Sequence, residues 1–129
     1  MKYLAGIDKE SVENMEMIIG GAYQGKTVYA KKEYPLLNWA DGDKVTEEEL
    51  MRAQGVTDFQ KYIRRELEKE RDVSELAEQI ILKNPDVILV SQEVGYGVVP
   101  VDAFDRKYRE AVGRVTRVVC GIGTVIKDD

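Results

Sequence analysis

The segment from Gly20 to Thr27 constrains the fold of this 129-residue chain more than any other. It satisfies the pattern G-x-x-x-x-G-K-S/T without a mismatch. Glycines allow the backbone to curl so that successive amides point at an anion, the lysine places positive charge on the outer phosphates, and the threonine hydroxyl binds Mg²⁺. The pattern therefore predicts a loop that binds nucleotide phosphates through Gly20, Gly21, Ala22, Tyr23, Gln24, Gly25, Lys26 and Thr27.

The residues on either side of this segment agree with such a loop. Met15 to Ile19 form a short apolar run that predicts a buried strand ending at the glycines. Good helix formers follow from Lys26 to Tyr34, and Pro35 ends them because proline lacks an amide hydrogen. The residues Leu36 to Trp39 then predict a second strand.

Helical patterns fill the middle of the chain. Thr46 and Glu49 have the spacing of a capping box, which predicts a short helix that Gly55 ends. Apolar residues at helical spacing predict two helices, or one bent helix, over residues 58–83. After a turn at residues 84–86, Val87 to Val90 form an apolar run without alternation, as in a parallel strand covered on both faces.

The last third completes an alternation of strands and helices. A loop over Ser91 to Val101 leads to Asp102, a good N-cap for a helix, and Val115 to Cys120 predict the last strand. We therefore predict an α/β fold, a three-layer P-loop NTPase-like domain with a mainly parallel sheet. Residues 1–14 are predicted to be a polar lead-in, and residues 15–129 a single nucleotide-binding domain.

Composition excludes several kinds of chemistry. The chain has no histidine and one cysteine, Cys120, which excludes Cys/His zinc sites, catalytic triads and a covalent histidine intermediate. A lone cysteine suits a reducing cytoplasm. The net charge of −5 argues against nucleic acid as a partner, and no apolar run reaches the length of a membrane span.

Two acids are candidates for work beside the bound phosphates. Glu93 follows the strand predicted at Val87 to Val90, where ligands bind in open α/β sheets. Asp58 follows Gly55 to Thr57, which is either an abbreviated strand or the start of a helix, and the N-cap interpretation of Asp58 is favoured.

A resemblance to a known family rests on four segments of the sequence. The first is the glycine motif, and the second is the stretch from Val87 to Pro100, which contains an E-V-G-x-G-x-V-P loop. The third is R-x-x-R-E-x-x-G-R at residues 106–114, and the fourth is the ending at residues 118–127. With these segments, over about half of its length, the chain resembles the adenosylcobinamide kinase/adenosylcobinamide-phosphate guanylyltransferase family of cobalamin biosynthesis.

The resemblance implies a kinase that uses Mg²⁺ and transfers a phosphoryl group from ATP or GTP to the aminopropanol hydroxyl of adenosylcobinamide. By position, the resemblance places Asn38, Trp39 and Ala40 near the nucleotide and Glu93 by the active site. In such a kinase Lys26 would neutralise charge on the transferring group and Thr27 would bind Mg²⁺, while Glu93 as a catalytic acid or Asp58 as a metal ligand would help to position the metal or the hydroxyl. The partners would be a nucleotide and a corrinoid, in a homo-oligomer.

Three departures from the family pattern bear on function. Family members carry the guanylyl group on a histidine, which this chain lacks, so the kinase half alone is expected. Residues 41–83 depart from the family pattern, and the connection after Arg114 is shorter than in typical members. The alternative is a nucleotide-binding regulatory or scaffold protein that keeps the fold without catalysis.

Overall fold

Parallel strands and helices alternate along the chain. The computed structural model describes residues 15–20, 25–94, 102–122 and 124–127. The elements are β1 (Glu16–Gly20), α1 (Lys26–Glu33), β2 (Trp39–Asp41), α2 (Glu47–Leu50), β3 (Gly55–Thr57), α3 (Phe59–Glu68), α4 (Leu76–Lys83), β4 (Ile88–Gln92), α5 (Ala103–Ile122) and β5 (Thr124–Lys127). These strands form one sheet in the order β2-β3-β4-β1-β5, and every neighbouring pair is parallel. The predicted α/β class is confirmed. The lead-in predicted over residues 1–14 lies outside the described residues.

Both faces of the central strands are buried. Met17 and Ile19 of β1 and Leu89 of β4 belong to the main core, which they share with residues of α3, α4 and α5. The alternate residues of these two strands point to the other face and pack beneath α1. Burial on both faces explains why β4 is a continuous apolar run, and it gives the three layers of the predicted architecture.

Helix α1 begins directly after the glycine motif. Gly25 precedes it with φ of +75°, a left-handed conformation that glycine adopts without steric cost. The helix ends at Glu33, where the Tyr34 amide still donates to the Ala30 carbonyl, and Pro35 follows. The predicted helix is therefore confirmed at both ends.

The capping box predicted at Thr46 is present. The Thr46 hydroxyl accepts a hydrogen bond from the Glu49 amide at 3.1 Å, and the Glu49 carboxylate accepts one from the Thr46 amide at 2.9 Å. These hydrogen bonds lower the pKa of Glu49. The helix ends at Leu50 rather than at Gly55, which is the first residue of β3, so the predicted stop was wrong.

Residues 58–83 form two helices, α3 and α4, which is one of the two predicted arrangements. The turn between α4 and β4 is fixed by Asn84, whose side-chain amide donates to the carbonyls of Leu50 at 2.9 Å and Ala53 at 2.8 Å. This contact ties the start of β4 to the segment that leads into β3.

The last predicted strand was wrong. Val115 to Cys120 lie within α5, and the last strand is β5. Val112, Val115 and Val119 are all buried at helical spacing in the main core, so the same β-branched residues satisfy a helix.

The described residues contain no helix that is long and apolar enough to cross a membrane.

Candidate nucleotide site

The glycine motif begins where strand β1 ends, at the carboxyl edge of the sheet. Gly20 ends β1, Gly25 precedes α1, and Lys26 is the first residue of that helix. Lys26 is only 8% exposed, and Thr27 is half-buried. Gly21 to Gln24 lie outside the described residues. The motif thus joins a strand to a helix N-terminus, the setting in which its backbone amides and helix dipole bind phosphate.

Glu93 lies beside the start of this loop. Gly20 is paired with Gln92 of β4, and the Glu93 amide donates to the Gly20 carbonyl at 2.7 Å. This hydrogen bond continues the β1–β4 ladder one residue past the end of β4. Glu93 is half-buried. The structure therefore brings the predicted acid and the phosphate loop together at one edge of the sheet.

Asp58 lies at the same edge but farther from the loop. It follows β3, and β4 separates β3 from β1, a lateral distance of about 10 Å at ordinary strand spacing. Both alternatives predicted for this segment are present: Gly55–Thr57 form the short strand β3, and Asp58 directly precedes the first residue of α3. Its φ of 51° is left-handed, and its side chain makes no capping hydrogen bond to the helix.

The Asp58 carboxylate already has partners. Lys61 Nζ lies 3.5 Å from Asp58 Oδ2, and Gln60 Nε2 donates to Asp58 Oδ1 at 3.4 Å. The backbone around it is also tightly packed. The Gly42 amide donates to the Thr57 carbonyl at 2.7 Å, and a Cβ at Gly42 would lie 2.3 Å from the Asp58 carbonyl oxygen. Glycine is required at position 42 by this close approach.

Gln60 is a site residue that the sequence analysis missed. It is 3% exposed, and its Oε1 accepts a hydrogen bond from the Gln92 amide at 2.8 Å. Strand β3 ends at Thr57, so the Gln92 amide on that side of β4 has no strand partner, and the Gln60 side chain replaces it. The signal in the sequence was a polar residue at the apolar start of α3, next to Phe59.

Asn38, Trp39 and Ala40 are not brought to the phosphate loop. Trp39 is level with Gly55, Ile88 and Glu16, the first residues of their strands, whereas Gly20 is the last residue of β1. Trp39 and Gly20 are therefore separated by about 13 Å along the strands and about 14 Å across the sheet.

The reason is an error in the predicted second strand. That strand begins at Trp39, not at Leu36, which is 94% exposed. The shift moves these residues from the end of a strand to its beginning, where the Asn38 amide donates to Gln54 Oε1 at 2.8 Å. The indole ring of Trp39 lies against Gly55 of the neighbouring strand. The residue of β2 at the carboxyl edge is Asp41.

The donor set at the carboxyl edge suits a hard cation. Hydroxyl and carboxylate oxygens are the protein ligands that Mg²⁺ prefers, and in nucleotide sites one or two of them act together with the phosphates. Thr27, Glu93 and, farther away, Asp58 supply such oxygens. Among the described residues, no three or more acids or cysteines are grouped so that they could hold a metal ion by themselves.

Taken together, the parallel sheet and the loop at the end of β1 define a P-loop NTPase-like domain. A protein-family model described as "Cobinamide kinase / cobinamide phosphate guanyltransferase" matches residues 45–124, more than half of the chain. The chain belongs to this family, whose enzymes act on nucleotide and corrinoid substrates in cobalamin biosynthesis. No curated protein matches the chain.

The extent of the match corrects one expectation. It includes residues 45–83, so the predicted departure of the middle of the chain from the family was wrong for that part. The match begins after Thr27 and therefore does not include the phosphate motif.

Proposed function

We propose that the protein is a kinase that transfers the terminal phosphoryl group of ATP or GTP to the aminopropanol hydroxyl of adenosylcobinamide. The observation that carries the proposal is the 2.7 Å hydrogen bond from the Glu93 amide to the Gly20 carbonyl. It supports the proposal because Glu93 then lies next to the segment whose sequence motif predicts phosphate binding. Phosphoryl transfer is catalysed largely by positioning and electrostatic stabilisation, and these groups are suited to both.

Each residue has a part in the proposed reaction. Lys26 neutralises charge on the transferring group, and Thr27 holds Mg²⁺, which supplies further neutralisation of the phosphate oxygens when bound. Glu93 positions the acceptor hydroxyl and accepts its proton as the new phosphorus–oxygen bond forms. The bond to the leaving nucleoside diphosphate breaks on the opposite side. Asp58 is the second candidate for the metal, although Lys61 is already its ion-pair partner.

The guanylyl-transfer half of the family's chemistry is not part of the proposal. The family implied by the resemblance carries the guanylyl group on histidine, and the full sequence has none. Protein incubated with GTP labelled at the α-phosphate is therefore expected to retain no acid-labile label. Acid-labile label on the denatured protein would contradict this part.

The kinase is tested with Lys26→Ala. Phosphorylated adenosylcobinamide is measured with Mg²⁺ and ATP or GTP labelled at the γ-phosphate. Loss of one preorganised charge at the transferring group is expected to lower kcat by about 100-fold or more. Lys32→Ala is the matched control, because Lys32 is an exposed lysine in the last turn of the same helix. It is expected to leave kcat unchanged.

One result would favour the non-catalytic alternative. Tight nucleotide binding by the unaltered protein, with no phosphorylated product from either nucleotide, would contradict the kinase and support a regulatory or scaffold role. The homo-oligomer expected from the resemblance and the cytoplasmic location expected from the lone cysteine are both part of the proposal. Sedimentation of the purified protein would check the oligomer.

A further inference from the structure

A polar cavity of about 430 Å³ opens beside the end of β4. Its floor is formed by Gln92 and Val94, which flank Glu93 in the sequence, and one wall by α3 with Gln60, Lys61 and Arg64. Tyr108 of α5 also lines the cavity. The cavity therefore adjoins the proposed catalytic acid but lies on the β3 side of it, away from β1.

The wall of the cavity is held in place by Arg65. Its guanidinium donates to the carbonyls of Gly42 at 2.9 Å and Val45 at 3.0 Å, which fixes the segment after β2 against α3. Asp43, within that segment, also lines the cavity. Because its guanidinium makes these two hydrogen bonds, Arg65 has a structural role in the wall. Lys61 and Arg64 are the other basic side chains of the lining, and they are accessible to a ligand.

Arg64 is positioned by two aromatic rings. Its Cζ lies 5.9 Å from the ring centroid of Phe104 and 5.8 Å from that of Tyr108. Its guanidinium lies 3.8 Å from Glu68, yet the side chain is 57% exposed. A guanidinium held over aromatic faces keeps its plane fixed while its N–H groups remain available as donors. Arg64 is therefore a preorganised donor on the open side of the cavity.

The charges of the lining argue against a phosphate as the occupant. Lys61 lies within ion-pair distance of Asp58, and Arg64 within that of Glu68. With the acids Asp43 and Glu68 against the bases Lys61, Arg64 and Arg65, the lining is close to charge balance, and the Gln92 side chain adds an amide donor and acceptor. Such a lining suits a neutral ligand rich in amide groups, since each amide both donates and accepts a hydrogen bond.

The geometry of phosphoryl transfer indicates on which side of the site the acceptor binds. The acceptor and the leaving group lie on opposite sides of the transferred phosphoryl group. The phosphate loop follows β1, and the cavity lies beyond β4 on the other side of Glu93. A nucleotide held by the loop leaves the cavity side open to the acceptor.

We propose that this cavity binds an amide-bearing arm of the corrinoid acceptor, with Arg64 as a principal contact. The inference rests on the proposed function for the identity of the acceptor. A volume of about 430 Å³ is suited to an arm and its neighbouring amides, so the macrocycle would remain outside.

The experiment measures cobinamide binding directly, by equilibrium dialysis with detection by the visible absorbance of the corrinoid. Arg64→Ala is expected to weaken cobinamide binding about ten-fold, the effect of losing one charge-assisted hydrogen bond, and to leave nucleotide binding unchanged. Arg64→Lys is expected to restore part of the affinity. Arg52→Ala is the matched control, because Arg52 forms an exposed i, i+4 ion pair with Glu48 but lines cavities at the amino edge of the sheet.

Each outcome decides the inference. Cobinamide affinity that is the same in Arg64→Ala and in the unaltered protein would overturn it, as would weaker binding of nucleotide alone, which would assign the cavity to the nucleotide. No cobinamide binding by the unaltered protein would also overturn it. Cobinamide binding that depends on Arg64, without phosphorylated product, would support the inference while contradicting the proposed kinase.

Discussion

Replacement of Gln60 by leucine tests how the carboxyl edge of the sheet is assembled. In the native protein the buried Gln60 side chain accepts the 2.8 Å hydrogen bond from the Gln92 amide and donates the longer 3.4 Å hydrogen bond to Asp58. Leucine has a similar size and neither group. The main loss is therefore the hydrogen-bond acceptor of the Gln92 backbone amide, which has no partner in β3 because that strand ends at Thr57.

The expected cost follows from these contacts. A buried amide without an acceptor costs about 1–3 kcal/mol, and the 3.4 Å hydrogen bond adds little because of its length. We expect Gln60→Leu to lower the free energy of unfolding by about 2 kcal/mol. For a chain of this size the melting temperature should fall by about 7 °C.

Asn84→Leu provides the matched control at the opposite edge of the sheet. Asn84 also uses a side-chain amide to bond backbone groups, the carbonyls of Leu50 and Ala53. Its loss should lower stability by a similar amount. Only Gln60→Leu should also lower kinase turnover, because the Gln92 backbone that it holds continues into Glu93.

Urea unfolding followed by circular dichroism measures the stability of both variants, and the phosphorylation assay measures their turnover. A loss of less than about 0.5 kcal/mol for Gln60→Leu would refute the assigned role of its side chain, since an orphaned buried amide costs more than that. Equal effects of the two variants on turnover would refute the link between Gln60 and the position of Glu93.

Two further predictions concern stability alone. Burial, and then the like charge of Glu33, raise the pKa of Glu16, so the folded state is destabilised as the pH rises through that raised pKa. Glu16→Gln should therefore melt higher than the unaltered protein at pH 7 and equal to it below the ordinary carboxyl pKa of 4.5, and a pH-independent difference would contradict this cause. Thr46→Ala removes the hydroxyl of the capping box and should cost about 1 kcal/mol in urea unfolding, whereas Thr46→Ser should cost much less.

The sequence alone determined the features that depend on local chemistry. The glycine motif, the helix that begins at Lys26 and the capping box at Thr46 each depend on residues a few positions apart, and each can be read without knowing the rest of the fold. The lack of histidine likewise constrains the chemistry whatever the fold.

Only the tertiary structure decided which elements the ambiguous apolar runs form. Val115 to Cys120 have the β-branched residues of a strand, but burying Val112, Val115 and Val119 together against the main core requires a helix. The start of β2 at Trp39 was decided by its pairing with Gly55, and that shift of three residues moved Asn38 to the opposite edge from the phosphate loop. The contact between Gln60 and the Gln92 amide exists because β3 is shorter than β4 at the carboxyl edge, which leaves that amide without a strand partner. Pairing and packing join residues distant in the chain, so their outcome is decided by the assembled sheet.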